Sequence, residues 1–175
     1  MHTYEQLEIE RHSFTERADC CVKALAVSRQ ISYMAAHKMC AKWGRKRRQG
    51  MYNKHIHSML KTEYNAERLP EHEMDRLRQS IGVKSLTPNN VGKALKRCGY
   101  DQWRFFALVR GHAFGIDKGQ VIDWSEGRKH RILALIPVQP EPKQEAPKLA
   151  RKMRHKKARR LGVDPKTGLP MQWAA

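Results

Sequence analysis

The sequence lacks any long apolar run. No window of its 175 residues approaches the roughly 18 consecutive apolar residues that a membrane-spanning helix needs. Residues 1–13 are charged and polar and contain no apolar core of a secretory signal. We therefore expect no membrane partner, a cytoplasmic location, and one domain of ordinary size that is long enough to bury a core.

Metal-ligand spacing is also lacking. The chain has four cysteines, Cys20, Cys21, Cys40 and Cys98, but no Cys-x-x-Cys pair. Two adjacent cysteines cannot easily bind one metal ion together, so a structural zinc site is not expected. In a reducing cytoplasm the four side chains are expected to be free thiols. The sequence predicts neither a metal nor a cofactor.

Acidic residues are scarce. The chain contains 17 Asp and Glu against 35 Lys and Arg, which gives a net charge of +18. Residues 139–175 hold 10 of the basic and 3 of the acidic residues, so both this tail (+7) and the rest of the chain (+11) are basic. Such a field attracts polyanions, above all nucleic acid or ribonucleoprotein, although a solvated surface is the alternative. The candidate polyanion-binding residues are Arg45, Lys46, Arg47, Arg48, Arg151, Lys152, Arg154, Lys156, Lys157, Arg159 and Arg160.

The order of predicted elements indicates an α+β fold. Apolar spacing and capping residues predict helices first, and a run of aromatic and β-branched segments then predicts an antiparallel sheet. Prolines after residue 136 mark the end of the domain, which we place at residues 1–138, followed by a basic tail over residues 139–175. The predicted helices cover residues 19–30, 32–44, 53–60, 69–81 and 87–99, and the predicted strands cover residues 103–109, 112–116, 120–124 and 131–138.

Cys20 is a candidate nucleophile because of its position in the first turn of a predicted helix. Asp19 is the predicted N-cap of that helix. The free amides and the partial positive charge at a helix N-terminus stabilise a thiolate, which is the reactive form of cysteine. The alternative is a buried core cysteine with no chemical role.

His112 and Asp123 are candidates for a base and the acid that orients it. If residues 117–118 form a two-residue hairpin turn, His112 pairs directly with Asp123, and the carboxylate accepts the Nδ1 hydrogen of the ring. A three-residue loop with Gly119 in a bulge would instead turn Asp123 to the other face of the sheet. A strand-capping histidine and a turn aspartate are the structural alternatives.

These segments resemble a known superfamily. Residues 19–26 (DCCVKALA), 31–33 (ISY) and 35–37 (AAH) look like the nucleophile helix and the following helix of small papain-like proteins. Residues 109–116 (VRGHAFGI) and 119–123 (GQVID) look like their histidine strand and acid strand. The resemblance covers residues 14–136 and leaves out the basic tail. Many such proteins are encoded by bacteriophages and bacteria, and they are related in fold to bacteriocin-processing peptidases.

The resemblance implies a cysteine hydrolase of peptide or isopeptide bonds, with a protein or peptide as its substrate. Cys20 would be the nucleophile, His112 the base and Asp123 the orienting acid, on a papain-like fold with the cysteine helix packed against the sheet. A phage origin would place the protein in the host cytoplasm or in the virion. One departure from the pattern is that residues 13–18 contain no Gln or Asn to bind the oxyanion. The alternative function is therefore a nucleic-acid- or ribonucleoprotein-binding module on an inactive papain-like scaffold.

Overall fold

The computed structural model describes residues 3–138, which form an α+β fold with six helices followed by a four-stranded sheet. No helix among these residues is both long and apolar enough to cross a membrane. The tail candidates from Arg151 to Arg160 lie outside the described residues. The elements are α1 (Tyr4–Ser13), α2 (Cys20–Arg29), α3 (Tyr33–Lys42), α4 (Asn53–Tyr64), α5 (Glu71–Ser80), α6 (Val91–Arg97), β1 (Arg104–Val109), β2 (His112–Asp117), β3 (Gln120–Ile122) and β4 (Ile132–Pro137).

The first helix, α1, was not predicted from the sequence. Thr3 and Gln6 form a capping box, in which the Thr3 hydroxyl accepts from the Gln6 amide and the Gln6 side chain accepts from the Thr3 amide. The helix buries Leu7 completely and leaves Ile9 71% exposed. The Thr-x-x-Gln spacing was a usable signal, but the helix has too weak an apolar stripe to be found by periodicity.

The next two helices begin at the residues predicted from their N-cap positions. Asp19 occupies the N-cap position of α2 without a side-chain capping bond, and at the start of α3 the Ser32 hydroxyl accepts a hydrogen bond from the Ala35 amide at 3.2 Å. Both starts agree with the prediction. The predicted start of the last helix at Thr87 was wrong, because the Asn90 side chain accepts from the Thr87 amide and closes a turn there, so that α6 begins at Val91.

The sheet has the strand order β3-β2-β1-β4, and every neighbouring pair is antiparallel. Helices α1 to α4 contribute to an apolar cluster with one face of the sheet, and α5 and α6 contribute to a second cluster with the other face. The central strand β1 is therefore buried along almost its whole length, which explains its uninterrupted apolar sequence.

The hairpin between β2 and β3 differs from the predicted register. Asp117 pairs with Gln120, so the two turn residues are Lys118 and Gly119, whose φ angles of 52° and 80° suit a tight hairpin turn. The predicted turn at residues 117–118 was wrong because Asp117 belongs to the strand, where it is buried and accepts a 2.7 Å hydrogen bond from Arg104 Nε. The ladder is displaced by two residues, so His112 and Asp123 are not cross-strand partners, and Asp123 lies just beyond the end of β3 at Ile122.

Gly115 allows α2 to lie directly against β2. A Cβ atom built at this position would be 2.4 Å from Val27 Cβ and 3.1 Å from the Ala24 carbonyl oxygen. Only a glycine therefore permits the backbones of the two elements to come this close. The helix that begins with Cys20 is seated on the strand that begins with His112.

We expect the Gly115→Ala substitution to lower the free energy of unfolding by about 1–3 kcal/mol, because the added methyl group overpacks the contact with Val27. Urea denaturation measures this change. Gly50→Ala is the matched control, since a Cβ there meets nothing within 4 Å and the backbone has no positive φ. An equal loss of stability in both variants would contradict the close-packing argument.

Candidate active site

Cys20 is the first residue of α2 and is half-buried. The amides of Val22 and Lys23 donate to the Asp19 carbonyl, whereas the amides of Cys20 and Cys21 come too early in the helix to reach a helical carbonyl. These amides, together with the positive end of the helix, surround the thiol with partial positive charge. Reactive cysteines are found in half-buried, electropositive environments of this kind.

The Asp19 side chain does not cap the helix, although the residue occupies the N-cap position. Its carboxylate accepts a 2.8 Å hydrogen bond from the Tyr33 hydroxyl and lies 3.5 Å from Lys23 Nζ. Lys23 is itself buried and also pairs with Glu8 of α1. Asp19 therefore ties the backbone just before Cys20 to α2 and α3 and leaves the helix amides unused.

His112 is the first residue of β2 and follows a tight turn at residues 110–111. Its Nε2 atom is 2.8 Å from Asp123 Oδ2, and the Ser125 amide donates to the same carboxylate oxygen at 2.9 Å. Cys20 is the other polar side chain that acts on the ring, since its proximity raises the pKa of His112. The predicted use of Nδ1 by the aspartate was wrong, because Nε2 faces Asp123 and leaves Nδ1 as the other ring nitrogen.

The electrostatics of His112 favour its charged form. Burial disfavours the charge, but the hydrogen bonds with Asp123 and Cys20, together with the negative charges of these partners, raise its pKa from 6.5 to about 9. At neutral pH the ring is therefore an imidazolium, which can stabilise a neighbouring thiolate and later donate its proton. The structure thus brings the three residues predicted from the sequence together in one contact network.

The neighbouring cysteine has a different environment. Cys21 is 1% exposed. A hydrogen bond with Cys40 and burial of the side chain raise the pKa of Cys21 well above its ordinary value. A thiol with this environment is neutral and inaccessible. Of the two adjacent cysteines, Cys20 alone has an acid–base partner suited to nucleophilic chemistry.

The loop before Cys20 is held by a buried acid. The Glu16 carboxylate accepts hydrogen bonds from Arg45 Nη2, the Arg48 amide and His37 Nε2, each at 2.8 Å. Burial opposes the charge, but these hydrogen bonds and the Arg45 charge lower the pKa of Glu16 to about 2. Arg45 also donates to the Ala18 carbonyl at 3.2 Å, which fixes the backbone two residues before Cys20.

Arg45 is therefore not a polyanion-binding residue, contrary to the expectation from the sequence. Its side chain is 1% exposed and its charge is matched by Glu16. Lys46, Arg47 and Arg48 are exposed, in agreement with their candidacy. The sequence could not show which of the four basic residues is buried, because the acid that pairs with Arg45 lies 29 positions away along the chain.

The surroundings of the histidine and the aspartate are partly open. The Trp124 ring is 49% exposed, and its centroid lies 5.1 Å from that of the His112 ring. Residues of α1 and β3 line a groove of about 360 Å³, with Tyr4, Val121 and Asp123 among them. An aromatic ring therefore packs beside the imidazole, and a groove that could hold a ligand borders Asp123.

Two further features bear on the chemistry. In residues 3–138 no group of three or more His, Cys, Asp or Glu side chains could hold a metal ion. The stretch before Cys20 supplies no amide side chain for an oxyanion, so the Cys20 amide is the donor that the helix itself offers.

No protein-family model, curated protein or solved structure matches this chain, so the assignment of its chemistry depends on the contacts among Cys20, His112 and Asp123.

Proposed function

We propose that this protein is a papain-like cysteine hydrolase that cleaves a peptide or isopeptide bond. The observation that supports the proposal best is the position of His112, which is hydrogen-bonded through Nε2 to Asp123 and lies close enough to Cys20 for the two side chains to interact. A nucleophile, a base and an orienting acid in this relation are the parts that acyl transfer by cysteine requires. The packing of the cysteine helix on the histidine strand also agrees with the resemblance to papain-like proteins.

The proposed reaction starts from a thiolate on Cys20 and an imidazolium on His112. The sulfur attacks the carbonyl carbon, and the carbonyl oxygen takes the electron pair and receives a hydrogen bond from the Cys20 amide. When the carbon–nitrogen bond breaks, the leaving amine takes the proton from His112 and a thioester remains. His112 then takes a proton from a water molecule, which attacks the thioester and releases the acid, and this step regenerates the thiolate and the imidazolium.

The positions of Asp123 and Trp124 fit this sequence of steps. The carboxylate fixes the orientation of the ring and stabilises its charge before and after proton transfer.

The oxyanion, by contrast, has one evident hydrogen-bond donor, the Cys20 amide. The lack of a second donor is expected to cost about 3 kcal/mol in transition-state stabilisation, which is on the order of a hundredfold in rate. We therefore propose a slow enzyme.

Alkylation with iodoacetamide at pH 6 tests the proposed thiolate. An ordinary thiol with a pKa of about 8.5 is ionised to only about 0.3% at this pH. Cys98 is also half-buried and serves as the matched control within the same chain. We expect mass spectrometry of tryptic peptides to show Cys20 reacting on the order of 100-fold faster than Cys98. This ratio should fall as the pH passes about 9, because His112 loses its proton there.

Acyl transfer itself is tested with p-nitrophenyl acetate. The ester should acetylate Cys20, and the adduct should then be hydrolysed in the wild-type protein but accumulate in His112→Ala. Reaction at Cys21 without reaction at Cys20 would contradict the assignment of the nucleophile. A stable acetyl adduct on Cys20 in the wild-type protein would contradict the hydrolase.

A further inference from the structure

A long stretch of the chain carries positive charge only. Residues 20–62 contain ten Lys and Arg and no Asp or Glu. This stretch supplies α2, α3 and most of α4, together with the loop between α3 and α4. A surface made from it has no acidic residue of its own to neutralise the basic ones.

Half of these ten side chains already pair with an acid or with an aromatic ring of the fold. Four pair with acids from other segments, and Arg29 lies over the ring of Tyr64. The other five are exposed to solvent. The four ion pairs are Lys23 with Glu8, Lys42 with Glu63, Arg45 with Glu16 and Lys61 with Glu67, and the five exposed residues are Lys38, Lys46, Arg47, Arg48 and Lys54.

Contacts between segments gather several of the exposed residues on one side of the molecule. Arg47 Nη2 donates to the Thr15 hydroxyl at 2.7 Å, and the Arg48 amide donates to Glu16, so the loop after α3 lies against residues 15–16. The next residue, Arg17, is exposed as well. The first turn of α4 reaches the same loop, because a Cβ on Gly44 would lie 3.4 Å from His55 Nδ1.

An exposed aromatic side chain completes this surface. Tyr52 is the N-cap residue of α4 and is 76% exposed, and its ring meets that of His55 edge-on at 6.1 Å between centroids. A tyrosine with this exposure leaves much of its ring available to a ligand. The surface, which we name the basic rim, consists of Arg17, Lys46, Arg47, Arg48, Tyr52 and Lys54.

We propose that the basic rim binds single-stranded nucleic acid. Its cations can follow the regularly spaced charges of a phosphate backbone, and the exposed Tyr52 ring can stack on an unpaired base. An acidic protein would use the cations but would gain no stacking from the aromatic ring, so the presence of Tyr52 favours nucleic acid. The proposal does not depend on the hydrolase chemistry, because none of the six residues belongs to the network of His112.

Fluorescence anisotropy with the full chain and a labelled oligonucleotide of about 12 nucleotides tests the proposal. We expect affinity to fall steeply between about 50 and 200 mM salt. The triple substitution Lys46→Gln, Arg47→Gln and Arg48→Gln should weaken binding at least about tenfold. It should also reduce the slope of log affinity against log salt by about 2, since each phosphate contact contributes about 0.7 in a single strand.

Two controls separate this surface from general basicity. The substitutions Lys84→Gln, Lys93→Gln and Lys96→Gln remove the same charge at exposed positions near α6 and should weaken binding less than about threefold. Tyr52→Ala should weaken binding about 5- to 100-fold, and Tyr52→Phe should restore it because a phenyl ring also stacks.

Three outcomes would overturn the proposal. They are equal effects of the two triple substitutions, no binding at low salt, and competition by poly-glutamate as strong as competition by unlabelled oligonucleotide. Alkylation of Cys20 at pH 6 in each variant shows separately whether the fold and the thiol site are intact. A failure of nucleic-acid binding can thus be distinguished from a failure of the proposed hydrolase.

Discussion

The His112→Ala substitution is expected to lower the alkylation rate of Cys20 at pH 6 by about two orders of magnitude. The ring of His112 interacts with the Cys20 side chain and is charged at this pH, since its pKa is raised to about 9. Without it, Cys20 keeps only the helix N-terminus as a stabilising environment, and a single helix terminus contributes roughly 0.3–2 kcal/mol. Timed iodoacetamide reactions followed by peptide mass spectrometry measure the rate.

A neighbouring histidine supplies the control. His130 is exposed, and the centroid of its ring lies 6.2 Å from that of the Trp124 ring. His130→Ala should leave the Cys20 rate unchanged within about twofold, and Cys98 should react equally in all three proteins. If His112→Ala also left Cys20 unchanged while the fold was retained, the thiol and the imidazole would not form a functional pair.

The Arg45→Ala substitution should have the largest effect on stability, with a loss of about 3–5 kcal/mol in the free energy of unfolding at pH 7. Both side chains of the Glu16–Arg45 pair are 1% exposed, so the substitution leaves a buried carboxylate without its guanidinium. His37 and the Arg48 amide still contact Glu16, but they cannot replace the permanent charge of the Arg45 guanidinium. Urea denaturation monitored by tryptophan fluorescence measures the loss.

The pH dependence of this loss has a definite sign. The pKa of Glu16 is lowered to about 2 in the folded protein, so its stabilising contribution is present above the unfolded value of 4.5 and is lost as the pH falls toward 2. The stability gap between wild type and Arg45→Ala should therefore be largest above pH 4.5 and shrink in acid. Arg48→Ala is the control, because it keeps the amide that contacts Glu16 and should cost less than about 1 kcal/mol. Equal losses for the two arginines would mean that the buried pair is not a major source of stability.

Local signals were sufficient for much of the fold. Asp19 and Ser32 mark the starts of α2 and α3, and the change from helical spacing to β-branched and aromatic segments locates the sheet. These features depend on residues a few positions apart, which a single sequence displays directly. The same holds for the position of Cys20 in the first turn of its helix.

Contacts between distant segments explain what the sequence did not predict. The hairpin register depends on Asp117, which is held in the strand by Arg104 of β1 and by Gln30 at the end of α2. The burial of Arg45 depends in the same way on Glu16. Asp123 still reaches His112, because the chain leaves β3 after Ile122 and turns the carboxylate back toward the ring. Side-chain burial and pairing of this kind are properties of the assembled fold and have no local pattern.

The close seat of α2 on β2 has a consequence for recognising distant relatives. Because a Cβ at Gly115 would lie 2.4 Å from Val27 Cβ, the helix that carries Cys20 and the strand that carries His112 are too close for any side chain at this position. A relative that keeps this chemistry can vary most of its apolar residues but must keep a glycine three positions after its histidine. The pattern to search for in divergent sequences is thus Asp-Cys at a helix start followed by His-x-x-Gly on a strand.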